Sequence, residues 1–157
     1  MQESKGVKFG VDAMLGKLAR FLRLLGYDTL YWRDSDDEKI LESSLKERRI
    51  IISRDKSLCK KAIDLGISVV CFSSSLSLEK YLSCLKEAGL IDLEFTPEKS
   101  RCPLCNGELY PTAQPFLSYK GRRKTYYVCK ECGMIYWVGR HFHSIMKTLG
   151  DAKNETC

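Results

Sequence analysis

Two cysteine pairs, Cys102-Pro-Leu-Cys105 and Cys129-Lys-Glu-Cys132, are separated by 23 residues. Two thiolates two residues apart on a tight turn grip one zinc ion, and a second such turn completes a tetrahedron. Four thiolate ligands leave no open coordination position, so the spacing predicts one structural Zn2+ held by Cys102, Cys105, Cys129 and Cys132. Asn106-Gly107 and Gly133 fall where each knuckle must turn sharply and favour positive φ. Strands are expected over residues 126–128 and 134–137, on either side of the second knuckle. Two reducible disulfides or a redox pair would use the same four residues.

A second constellation is acidic. Asp12 ends the first apolar run, Asp55 follows the third, and Asp36-Asp37-Glu38 opens the second helical stretch. Singly, each acid suits a helix N-cap or first turn. Together, hard oxygen donors at one sheet edge, with no competing His or Cys, suit one or two Mg2+ or Mn2+ ions. Such ions activate water and neutralise a phosphodiester. Lys17 and Arg20 lie one and two turns into the helix that Asp12 opens, where a phosphate backbone would run. Gly16, on the flank of that basic face, leaves room for close approach.

The elements that must position these groups follow from periodicity. Residues 7–11 read as a strand and residues 13–25 as an amphipathic helix. Met14, Leu15, Leu18, Leu22 and Leu25 share one face of it, opposite Lys17 and Arg20, and Gly26 ends it. Strands are expected at residues 29–32, 49–53 and 67–72, and helices at residues 36–48, 56–65 and 78–88. The order β-α-β-α-β-α-β-α, with nearly continuous apolar strands, predicts an α/β parallel sheet covered by helices on both faces. After residues 91–100 the composition turns to cysteine pairs, Gly, Pro and aromatics. The chain therefore divides into residues 1–95 and a ribbon domain over residues 96–157, whose one helical stripe is residues 144–149.

The formal charge of +6 is uneven: residues 1–95 carry 16 Lys/Arg against 15 Asp/Glu, residues 96–157 carry 10 against 5. A basic ribbon on a near-neutral body fits a polyanionic partner. Lys120, Arg122, Arg123 and Lys124 interleave with Tyr119, Tyr126 and Tyr127, a pattern in which cations meet phosphates and rings stack on bases. A solvated hairpin tip has the same composition. His141 and His143 follow the second knuckle, where the tetrahedron is already full; they are packed or exposed side chains, or His141 meets RNA.

Cys59, Cys71, Cys84 and Cys157 are scattered through amphipathic or apolar stretches, with Cys157 on an expected frayed tail. Cys59, Cys71 and Cys84 are expected to be small core thiols, and all four fit a reducing, cytoplasmic or nuclear compartment. Residues 1–8 are polar and charged, so no secretory signal is expected. No apolar run approaches the roughly 20 residues of a membrane helix, so no membrane partner is expected.

Residues 11–20 (Val-Asp-Ala-Met-Leu-Gly-Lys-Leu-Ala-Arg), Leu22 to Asp28, Ser53-Arg54-Asp55, Arg101 to Gly107 and Tyr136-Trp137 with Gly139 and His141 together resemble the Mut-seven C-terminal ribonuclease family. The resemblance spans about residues 8–149. It implies a PIN-like parallel sheet flanked by helices, followed by a small zinc ribbon, a divalent-metal site and RNA cleavage. By motif, Asp12, Asp37 (in Asp37-Glu-Lys-Ile-Leu41) and Asp55 (in Ser53-Arg-Asp55, with Ser for Thr) match the catalytic and metal-holding acids. Lys17, Arg20, Arg54, Arg140 and His141 join the ribbon cations as RNA contacts. Where many PIN nucleases carry a further acid or Asn, this chain reads Ser73-Ser74-Ser75. Arg140 stands where the family more often has a small polar residue. The sequence reading is a divalent-metal-dependent ribonuclease of single-stranded or structured RNA. Its rival is a non-catalytic RNA-binding or protein-docking adaptor.

Overall fold

The computed structural model describes residues 6–112 and 125–157. Four strands form a parallel sheet: β1 (Lys8–Asp12), β2 (Asp28–Trp32), β3 (Ile50–Ser53) and β4 (Val69–Cys71), in the order β2-β1-β3-β4. Helices α1 (Gly16–Leu24), α2 (Asp37–Glu47), α3 (Lys56–Asp64) and α4 (Leu78–Glu87) alternate with them. The expected α/β order is therefore present, with boundaries moved by up to three residues. The largest local change is a 3-10 turn over Ala13–Leu15 before α1. It forms because the Asp12 side chain accepts the Met14 N–H at 2.9 Å and tightens the first turn.

The chain runs from β1 outward to β2, then returns to place β3 on the other side of β1. Strand order thus reverses around β1, and its helices separate onto two faces. Leu18, Leu22 and Leu25 of the α1 region pack with Phe9, Val11, Ile52 and the α4 residues Leu82 and Leu85. On the opposite face Ile40 and Leu41 of α2 meet Leu58 and Ala62 of α3 over Ile51. Alternation along β3 sends Ile51 to one core and Ile52 to the other, as the period of two requires. Burying each of these leucines contributes about 1.5–3 kcal/mol. Gly10 is the flat point of β1: a β-carbon there would overlap the indole of Trp32.

The ribbon is a three-stranded antiparallel sheet of β5 (Leu109–Thr112), β6 (Tyr126–Cys129) and β7 (Ile135–Trp137), preceded by a 3-10 turn at Pro97–Lys99. β5 carries Pro111 and shows little alternation, which hid it in the sequence. The basic tract of Lys120, Arg122, Arg123 and Lys124 lies outside the described residues.

The C-terminal helix differs most from expectation. α5 spans Arg140–Asn154, well beyond the apolar stripe at 144–149. Leu149 and Ala152 enter the main core beside α4, away from the ribbon with which the sequence grouped them. Ser83 Oγ on α4 donates to the Glu155 carbonyl at 2.9 Å, and Cys84 is disulfide-bonded to Cys157. The tail expected to fray is thus fastened. Cys59 of α3 is likewise bonded to Cys71 of β4, with α-carbons 6.1 Å apart. The four scattered cysteines are therefore two cross-links, because helix packing brings each pair face to face. Among the described residues no helix is long and apolar enough to cross a membrane.

Leu149 is 1% exposed. Leu149→Ala is expected to destabilise the main core by about 2–5 kcal/mol, as cavity-forming changes do. Urea unfolding followed by the far-UV signal checks this; a change under about 1 kcal/mol would mean that α5 is not an integral wall of that core.

Candidate functional site

The four ribbon cysteines come together as the sequence predicts. Their sulfurs lie within 4.8 Å of one another, and they form the one group of three or more candidate metal ligands found among the described residues. Cys102 and Cys132 Sγ are 3.7 Å apart, Cys105 and Cys129 Sγ 3.4 Å. Tetrahedral zinc thiolates, with bonds of about 2.3 Å, require sulfurs roughly 3.8 Å apart, so the cluster can hold a metal ion such as zinc. Asn106 and Gly133 take the positive φ of 72° and 76° that the knuckle turns demand. Gly107 serves differently: a β-carbon there would lie 2.7 Å from Cys129 Sγ, so only glycine lets the two knuckles close.

Burial pushes the Cys129 thiol up, but the Cys132 and Glu131 N–H groups outweigh it and bring it down to about 7. Tyr136 Oη lies 3.1 Å from Cys102 Sγ. Burial, and then this sulfur, push the phenol up. Such outer hydrogen bonds orient and steady a thiolate ligand.

The first knuckle is built onto the sheet domain. Arg23 of α1, 7% exposed, donates through Nε to the Thr29 carbonyl and through Nη1 to the carbonyls of Pro103 and Leu104. Asn106 accepts the Thr29 N–H at 2.9 Å and donates to Asp28 Oδ1 at 2.8 Å. Asp28 also pairs with the buried Arg49 at 2.9 Å. Burial pushes the Asp28 carboxyl up, yet the hydrogen bonds from Arg49 and Asn106 win and hold it below the usual carboxylate range.

The three aspartates follow three strands of the parallel sheet: Asp12 closes β1, Asp37 comes after β2 and Asp55 after β3. Asp12, 7% exposed, closes β1; its Oδ2 accepts the Ser53 hydroxyl and, at 3.2 Å, the Arg54 N–H. Asp55 follows β3 and caps α3, accepting the Ser57 and Leu58 N–H groups through Oδ1. Asp37 opens α2 and pairs with Lys61 at 3.1 Å, while Asp36 is the cap. Asp55 Oδ2 and Asp37 Oδ1 take no hydrogen bond from the described residues. The three do not meet as the cysteines do. Chemically each is a hard anionic oxygen donor, the ligand type that Mg2+ or Mn2+ prefers.

Beside this edge lies a cleft of about 800 Å3 between α1, the ends of β2 and β3, and the first knuckle. Lys17, Arg20 and Arg54 line it, as do Arg33 and Tyr31, which the sequence reading missed. Arg33 follows β2 at the same edge as Asp12, a placement legible only once strand order is known. Tyr31 donates to the Ala13 carbonyl at 2.6 Å, and its ring occupies the space beside Gly16 that the sequence reserved for a phosphate. Arg54 Nε is buried with no partner among the described residues, a cost of about 1–3 kcal/mol. Arg140 and His141 are exposed on the first turn of α5 and line a separate, largely apolar groove.

A parallel sheet wound in both directions from β1, with a four-cysteine ribbon able to hold a metal seated on its first helix, defines the class. Residues 7–149 match the Mut7-C RNAse domain, and the chain belongs to that family. RNA is the substrate class that membership brings. Neither a curated protein nor a solved structure matches the chain.

Two outcomes follow from the junction. Purified protein should carry one zinc, and Cys129→Ser should lose it; because Arg23, Thr29 and Asp28 lose ordered partners, the main thermal transition should fall by about 2–8 °C per kcal/mol lost. Unchanged metal content or unchanged melting would contradict this. Asp28, depressed in the folded state, contributes stability above its unfolded value of about 3.9, lost as pH falls through the folded value. Asp28→Asn should therefore flatten the acid limb of the stability curve below about pH 4, measured by urea midpoints against pH.

Proposed function

We propose that this protein is a divalent-metal-dependent ribonuclease that hydrolyses phosphodiester bonds at the carboxyl edge of β1. In doubly wound sheets ligands collect at the crevice where strand order reverses, and Asp12 stands at that crevice. The observation carrying the reading is the pairing of Asp12 with its neighbour. Its carboxylate is fixed by Ser53 and the Arg54 N–H, and the Arg54 side chain then lines the cationic cleft.

Asp12, Asp37 and Asp55 are the residues that would hold one or two Mg2+ or Mn2+ ions. Bound there, the ion would supply charge neutralisation of the phosphodiester and an activated water. The chain's own residues do the rest. Ser53 and two backbone N–H groups keep Asp12 oriented. Lys17, Arg20 and Arg54 hold the RNA backbone against the edge, and the ribbon, closed by structural zinc, keeps α1 and the start of β2 in place. The adaptor reading is favoured by one observation: every aspartate already has a local hydrogen-bonding role.

Activity separates the two. Asp55→Asn still caps α3, and Asp37→Asn removes only a half-exposed ion pair worth about 0–1 kcal/mol, so both should fold normally. Asp12→Asn turns an amide N–H toward Ser53 or Arg54 and should cost about 1–3 kcal/mol. With Mn2+ added, the wild type should cut unstructured RNA. Asp55→Asn and Asp37→Asn should each lose at least about 10–100-fold of that rate, since even outer partners of metal ligands cost this much. Metal-free RNA binding should be unchanged or slightly tighter, because a like charge has gone. Wild type that binds RNA and leaves it intact across several divalent ions would establish the adaptor.

A further inference from the structure

The cleft beside α1 has two features that its cations alone do not explain. First, it is strongly one-signed. Lys17, Arg20, Arg33 and Arg54 line it, no Asp or Glu does, and none of the four is in an ion pair among the described residues. Arg23 also borders it, but its guanidinium is committed to the carbonyls of Thr29, Pro103 and Leu104. The unpartnered Arg54 Nε adds a donor with no internal use. A concave surface of uncompensated cations recognises an anion.

Second, two large apolar side chains stand in the same cleft in water. Met14 is 62% exposed and Leu104 is 65% exposed, and both line it. Leu104 is a residue of the first cysteine knuckle, whose tip Arg23 clamps against α1. Its exposure is therefore enforced by the metal-binding turn and the clamp. A free phosphate or a small polyanion would satisfy the cations and gain nothing from Met14 and Leu104. A chain that alternates anionic linkages with flat apolar faces uses both. Unpaired nucleic acid is such a chain, whereas a duplex hides its base faces in the stack.

We infer that the cleft between α1 and the first cysteine knuckle binds an unpaired segment of RNA, with Lys17, Arg20, Arg33 and Arg54 on its phosphates and Met14 and Leu104 against its bases. The inference rests on the reading of RNA as ligand. It makes the knuckle a wall of the substrate cleft of the sheet domain. The ribbon then contributes to binding through a side chain that touches RNA, besides the excess positive charge of its sequence.

The test is binding by the full zinc-loaded chain, without added Mg2+ or Mn2+, measured by fluorescence anisotropy. Three labelled probes are used: an unstructured RNA, an abasic oligomer of equal length, and a duplex. Wild type should bind the RNA more tightly than either of the others. Leu104→Ser and Met14→Ser should each weaken RNA binding by about tenfold and leave the abasic oligomer unchanged, as loss of a base contact does. Met14 lies outside the knuckle, so its variant keeps the test valid if Leu104→Ser loses zinc. Arg33→Gln and Arg54→Gln should weaken RNA and abasic probe alike. Each should lower the slope of log affinity against log salt by about 0.7. Equal affinity for duplex and unpaired RNA, or apolar variants that affect both single-stranded probes equally or neither, would overturn the inference. Cleavage assays keep it distinct from the nuclease reading. The binding pattern without any cleavage leaves the cleft standing and removes the nuclease, while cleavage with none of the binding pattern does the reverse.

Discussion

A single buried guanidinium holds the two halves of this molecule in register. Arg23 leaves α1, satisfies the Thr29 carbonyl at the start of β2, and reaches the Pro103 and Leu104 carbonyls of the first knuckle. Burial pushes its pKa down, and Cys102, Cys105 and Asp28 oppose this only in part. Zinc held by four thiolates would bring a net double negative charge, a counter-charge for Arg23 beside that of Asp28. Lysine, with a point charge and no planar fork, could not meet carbonyls in three directions. The Arg101 N–H to the Arg23 carbonyl and the Ser100 hydroxyl to the Leu24 carbonyl complete the seam.

What could be read from the sequence was what short-range physics writes there. The two knuckles have ligands two residues apart and turn residues beside them. The sheet domain has strand and helix periods over windows of ten residues, with caps at Asp36, Asp55 and Ser77. Contacts at a separation of about eighty residues leave no such trace. Arg23 looked like one more cation on the polar flank of a helix, and Asn106 like a turn residue alone. Leu149 ends a short stripe that any neighbour would satisfy, and Ala152 lies beyond it. The two disulfides were hidden for the same reason: Cys84 and Cys157 are 73 residues apart and only tertiary packing pairs them. The aspartates are a different case. A cap and a metal ligand call for the same residue at the same strand end, so pattern alone carries both meanings.

The cleft shows how function is assembled from separately motivated parts. Asp12 tightens the turn that starts α1, and that turn leaves Met14 in solvent at its side. Strand reversal around β1 brings Arg33 and Arg54 from strands on either side of it to the same edge. The knuckle, folded for its metal, extends Leu104 over the result. None of these residues is adjacent in sequence to more than one of the others, and the site exists only at the level of topology.

The docking of α5 has a consequence for how the chain folds. Its Leu149 and Ala152 complete a core that also holds Phe9 and Val11, so β1 is sealed by a helix that lies far from it in sequence. Until α5 docks, the sheet lacks that wall and its apolar α1–α4 face stays partly open. Closing this core needs contacts between distant parts of the chain, so it is a slow step during which the open face is prone to aggregation.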